Sequence, residues 1–197
     1  MSKEKLEDFL PLGAFSYVEK WCNGYSVFIK ITKDRVSKLG DYKKIKNKGH
    51  QITINGGLEK PLFFFVLTHE IAHLIAFEKY KNIAPHGKEW KQTFRELILE
   101  SLEIYDVDFQ KILLKFSKNP KASFNASRDL EMYFKKENRD GITLVEDLVG
   151  GQIFIFRNTK FRMIEKKKKR YLCTHLDTGK QYLFSPLAEV LTDKLDV

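Results

Sequence analysis

Apolar positions recur at helical steps through much of the first 116 residues and alternate beyond residue 142, so the chain changes from a helix-rich to a strand-rich part. Leu6, Phe9, Leu10, Phe15, Val18 and Trp21 fall three and four apart and predict a helix over 3–22. Pro11 breaks that helix after a first turn, and Asn23-Gly24 stops it. β-Branched and aromatic runs at 25–32, 41–45 and 51–55 predict strands, joined in a two- or three-stranded antiparallel sheet. The run 61–77 is apolar almost all the way round, which predicts a buried helix rather than an amphipathic one. Trp90, Phe94, Leu97, Ile98 and Leu102 predict a helix over 87–102, and Phe109, Ile112, Leu113 and Phe116 a third packing helix over 106–116.

After this the composition turns polar. Residues 117–127 read as a surface connection, 129–136 as a short helix and 137–141 as a turn. Short strands follow at 142–145, 152–156, 161–164, 170–173 and 181–184, with a closing helix over 186–195. Their regular spacing predicts a small β-barrel or curled sheet. The expected fold is therefore α+β: a mixed domain over 1–118, a connection over 119–140 and a small all-β module over 141–197.

The chemistry is concentrated in the buried helix. His69-Glu70-Ile71-Ala72-His73 places two imidazoles at i and i+4, roughly 6 Å apart along the axis, on one face. Two such rings can share a zinc ion at about 2.0–2.1 Å, with Glu70 turned far enough away to act as a base rather than a ligand. Unpaired, these groups would each cost several kcal/mol to bury, and a metal offsets that cost. The third ligand expected is His86, because the polar, proline-ended stretch 78–85 reverses the chain and sets His86 at the start of the next helix, facing the first. His50 and His175 read as ordinary side chains. For an oxyanion donor, Tyr42, Tyr80 and Lys88 are the candidates.

The HEIAH and HGKEW segments, with 37–42 and 50–55 ahead of them, resemble the SprT-like metalloproteases, which include bacterial SprT proteins and eukaryotic Spartan. The resemblance covers about the first 115 residues. It implies a zincin-like core, one Zn²⁺ held by His69, His73 and His86, Glu70 as catalytic base, and protein substrates associated with single- or double-stranded DNA. Many relatives end in a zinc ribbon, whereas Cys173 and His175 alone cannot form a closed four-ligand shell, so a second zinc is not expected. Two rivals stand beside the metalloendopeptidase: a nucleic-acid-binding or regulatory protein with structural zinc, and a hydrolase of small amides.

Charge adds a second theme. The chain carries 35 Lys and Arg against 26 Asp and Glu, a net charge of +9 that favours acidic partners. The excess gathers at Lys43, Lys44 and Lys46, and at Lys166, Lys167, Lys168, Lys169 and Arg170, the candidate nucleic-acid contacts. Two distant cysteines and the lack of an uninterrupted apolar run predict a cytoplasmic, membrane-free protein without disulfides, and a monomer is expected.

Overall fold

The structure is a computed structural model that describes residues 6–122, 127–135 and 142–192. It divides into two compact units, Met1–Leu130 and Glu131–Val197. Among the described residues it is α+β, with five α-helices and two sheets.

The first unit contains α1 (Ala14–Cys22), β1 (Val27–Thr32), β2 (Gly40–Ile45), β3 (Gly49–Asn55), α2 (Lys60–Tyr80), α3 (Lys88–Glu100) and α4 (Val107–Ser117). Helix α2 lies at its centre. Pro61 suits its first turn, where a missing N–H is no loss. Its apolar circumference is then consumed on all sides. Phe64 stacks on Trp21 of α1, and Phe65 meets Phe94 of α3 and Phe109 and Phe116 of α4. Ile52 and Ile54 of β3 are fully buried, as are Phe63, Leu67, Ile71 and Leu74 of α2. Each such side chain contributes roughly 1.5–3 kcal/mol by leaving water. By length and composition α2 could also cross a bilayer, yet 61% of its apolar window is buried inside the protein.

The first predicted helix breaks at Pro11 after a first turn, as expected, and the helix proper begins at Ala14 after Gly13 (φ 80°), while its predicted residues 3–5 lie outside the described residues. One expectation is corrected in this unit. The sheet is mixed, in the order β1-β3-β2, with β1 parallel to β3 and β2 antiparallel to it. The link 33–39 is too long for a tight hairpin, and it carries the chain past the central position that β3 later fills. Arg35 ties this link down, donating to Asn55 Oδ1 at 2.9 Å and to Thr53 Oγ1 at 3.0 Å, while Asn55 Nδ2 donates back to the carbonyl oxygens of Arg35 and Lys38. The link is thereby held over one end of the sheet.

Helix α5 (Arg128–Lys135) falls at the boundary between the units. The second unit contains β4 (Ile142–Leu144), β5 (Ile153–Phe156), β6 (Thr159–Lys166), β7 (Tyr171–His175), β8 (Gln181–Phe184) and β9 (Glu189–Leu191), in the order β4-β9-β5-β6-β7-β8 and antiparallel throughout. Val145, Phe154, Phe161, Met163, Tyr171, Cys173, Phe184 and Val190 form its core. The expected closing helix is replaced by β9. Val190 points inward while Glu189 and Leu191 point out, and a strand can satisfy its backbone against both β4 and β5. Among the described residues β4 and β8 do not pair with each other. The turn predicted at 137–141 and the last residues of the predicted helix, 193–195, lie outside the described residues.

Candidate metal centre

His69 and His73 project from one face of α2 into a cleft of about 690 Å³, which is also lined by Glu70, His86, Gly40, Tyr42 and the link 36–39. His86 reaches the same point from the loop that joins α2 to α3. Helix α2 ends where Lys81 takes φ 61°, and the chain reverses through Ala84-Pro85-His86-Gly87, closed by Gly87 N–H donating to Ala84 O at 2.9 Å. Pro85 suits the second position of such a turn. His86 has φ 58° at the third, where glycine or asparagine is usual. A residue held there costs on the order of 1–3 kcal/mol, and here it aims an imidazole at the helix behind it.

The three Nε2 atoms converge. His86 Nε2 stands 3.0 Å from His73 Nε2 and 3.2 Å from His69 Nε2. Three nitrogens around a tetrahedral ion at about 2.0–2.1 Å would stand roughly 3.4 Å apart, so the donor set fits a metal with little movement. Trp90 of α3 packs against all three rings, with centroids at 4.7, 5.2 and 4.6 Å, and walls the site on one side. Burial lowers the pKa of all three histidines, that of His73 to about 4, and keeps them neutral with lone pairs free to bind. The cluster could hold a metal ion.

Glu70 is only 6% exposed and faces β2. Burial, then Asp41, raises its pKa to about 8, against weaker opposite effects of Lys38 and Arg35. Among the described residues no lysine or arginine is ion-paired with it. Gly40 is what lets β2 pass so closely: a Cβ there would sit 2.5 Å from Glu70 Oε1 and 2.8 Å from Val66 Cγ1. Two residues along the same strand, Tyr42 lies parallel to His73, with centroids 6.0 Å apart and planes 7° apart. Its hydroxyl meets His50 Nδ1 at 2.9 Å. His50 alternates with Ile52 and Ile54 on the buried face of β3, and its Nε2 faces Lys44 Nζ at 3.0 Å and Glu78 Oε1 at 3.2 Å. Sequence reasoning gave His50 no role and passed over Gly40 and Glu78. The hairpin register, which sets Lys44 opposite His50 and Tyr42 opposite Ile52, was the available signal.

Residues 29–106 match the family model described as the SprT-like family. These residues form a SprT-like segment. The chain is 40% identical over 40 residues to Protein SprT of Glaesserella parasuis serovar 5 (strain SH0165), covering 20% of this chain and 26% of that protein. It is 46% identical over 46 residues to Protein SprT of Vibrio parahaemolyticus serotype O3:K6 (strain RIMD 2210633), covering 21% and 28%. The chain therefore spans about a quarter of the length of these curated relatives. No solved structure matches it. The SprT-like segment contains β2, β3, α2 and α3, and with them every residue of the histidine cluster, Glu70 and the Tyr42–His50 pair.

The predicted phosphate contacts are divided between the two units. Lys44 is engaged with Glu78 at 2.8 Å, and Lys43 stands 3.7 Å from Asp41, so these two are partly neutralised beside the SprT-like cleft; Lys46 is exposed in the β2–β3 turn. In the second unit Lys166, Lys167, Lys168, Lys169 and Arg170 are all exposed around the β6–β7 turn. There Lys167 pairs with Glu165, Lys166 lies over the Tyr171 ring, and Arg170 Nη1 donates to Leu183 O at 3.5 Å. Cys22 and Cys173 are free thiols.

Proposed function

We propose that this SprT-like protein is a zinc metalloendopeptidase. The observation that carries the reading is the meeting of three neutral Nε2 atoms with a buried carboxyl on one cleft. His69, His73 and His86 would hold the ion and leave one position open. Zinc bound there supplies Lewis acidity towards a carbonyl oxygen and makes water a better nucleophile. Glu70 takes a proton from the attacking water as its oxygen bonds to the carbonyl carbon, then passes that proton to the amine as the C–N bond breaks. Burial raises the proton affinity of this carboxyl, which suits a group that must both accept and return a proton. Strand β2 is an edge strand whose Gly40, Asp41 and Tyr42 line the cleft, so an extended peptide can pair with it beside Glu70.

The same reading makes proteins on DNA the preferred substrates, with the exposed cations at 166–170 as phosphate contacts in the second unit. Two free cysteines fit a reducing compartment, and a cytoplasmic monomer is the working form. Glu70→Gln tests the peptidase reading: one zinc per chain is retained and cleavage of casein, with or without single-stranded DNA, falls to background. A variant that still cleaves, or a zinc-loaded wild type that cleaves no protein, refutes it and leaves the structural-zinc reading.

A further inference from the structure

The zinc-ligand set accounts for three of the histidines, and the most deeply buried of those outside it is His50, 4% exposed. Its ring joins a chain of contacts that begins at Glu78, at the end of α2, and finishes inside the cleft at Tyr42. We propose that Tyr42 donates a hydrogen bond from its hydroxyl, keeping its proton, to the oxyanion that forms on the scissile carbonyl, and that His50, fixed by Lys44 and Glu78, positions that hydroxyl. The inference rests on the peptidase reading above and deepens it.

The direction of the hydrogen bonds follows from the donor inventory. A lysine ammonium has donors only, and Lys44 Nζ stands 3.0 Å from His50 Nε2. Nε2 is therefore the acceptor. Lys44 donates to Glu78 Oε1 as well, at 2.8 Å, which explains how a carboxylate can lie 3.2 Å from the same nitrogen: the ammonium bridges them. Burial, then Lys44, lowers the pKa of His50 against the opposing effect of Glu78, and a neutral ring that accepts at Nε2 carries its one proton on Nδ1. That proton points to Tyr42 Oη at 2.9 Å. The tyrosine accepts there, and its own proton is free to turn into the cleft.

Placement selects Tyr42 over the other two sequence candidates. Tyr42 lines the cleft together with His69, Glu70 and His73, whereas Tyr80 and Lys88 do not. Its ring is held parallel to His73, and Gly40, two residues before it on β2, lies against Glu70. One strand therefore brings a hydrogen-bond donor and the wall that confines the base to the same face. A donor fixed before the reaction needs no reorganisation as charge develops, which is the condition for a large effect on rate.

The test uses the full chain loaded with zinc. In Tyr42→Phe one zinc per chain is retained, kcat falls about 10²–10³-fold and KM stays within about threefold. Affinity for a phosphinic peptide, whose tetrahedral anion copies the oxyanion, falls at least about tenfold. His50→Ala lowers kcat less, and the double variant is no slower than Tyr42→Phe, because the histidine acts only through the tyrosine. The ¹⁵N NMR signature of His50 in the wild type is that of a neutral Nδ1–H ring, a readout independent of turnover. A wild type that cleaves while Tyr42→Phe cleaves equally well, or an Nε2–H signature for His50, overturns the inference and spares the peptidase reading. A zinc-loaded wild type that cleaves nothing overturns both.

Discussion

Gly40→Ala is the smallest change that should disable the site without touching a ligand. The added methyl would sit 2.5 Å from Glu70 Oε1 and 2.9 Å from Glu70 Cγ, where about 3.4 Å is the ordinary limit of contact. Val66 Cγ1 at 2.8 Å closes the other side, so the relief has to come from the carboxylate or from β2 itself. The oxygen must move by roughly 0.9 Å, and a displacement near 1 Å at a reacting group costs on the order of 10²-fold in rate. Overpacking of this kind destabilises by about 1–3 kcal/mol, which leaves a folded protein to measure. The assay is kcat on casein with zinc content by mass spectrometry and a urea melt on the same preparation. Gly150→Ala is the control, because a Cβ there meets nothing closer than 3.8 Å and the backbone is unstrained. Expected is one zinc per chain, a kcat down about 10²-fold and a modest loss of stability. If Gly40→Ala keeps wild-type kcat with its zinc in place, the carboxylate is not confined by β2 and Glu70 is not held for proton transfer as described.

Three further outcomes are expected. His86→Gly should lower zinc from one per chain to near none, while the metal-free protein is as stable as the wild type or more so, because glycine relieves the φ of 58°; elemental analysis and thermal melts of both forms check this. Hydrogen bonds from Lys44, then Lys81, hold the pKa of Glu78 down at about 2, below its unfolded value near 4.5. Its contribution is therefore complete above about pH 4.5 and is lost as pH falls towards 2. The stability gap between wild type and Glu78→Gln, read from urea midpoints, should accordingly narrow across that window. Changing Lys167, Lys168 and Lys169 to Glu should flatten the dependence of log K on log salt for duplex DNA by about 0.9 for each phosphate that is no longer neutralised; an unchanged slope removes this turn from any nucleic-acid interface.

What the sequence made legible and what it hid follow from the range of the interactions involved. His69, Glu70 and His73 are bound by one local period, and their relation survives any packing of the helix that carries them. His86 was within reach because a proline-terminated loop can only turn the chain back. That the turn would force a histidine to a positive φ was not readable from residue types that favour glycine there. The sheet was misread where pairing is non-local: β1 and β3 are separated by the whole of β2, and nothing local to residues 27–32 encodes a parallel partner. In the second unit residues 189–191 carry both a helical and an alternating reading, and the free backbone edges of β4 and β5 decide for the strand.

The Tyr42–His50–Glu78 contacts lie beyond local reading for the same reason. Each is an unremarkable residue in its own segment, and their chemistry exists only once β3 inserts between β1 and β2 and presses His50 towards α2. The mixed sheet that defeated local pattern reading is thus also what builds this side of the cleft. With β3 central, β2 is left at the edge, one rim unpaired among the described residues, and Gly40 and Tyr42 lie on it beside α2. A plain antiparallel meander in sequence order would have made β2 the central strand and closed the rim against any extended chain. The strand order is therefore a condition of the proposed function, beyond its part in packing the first unit.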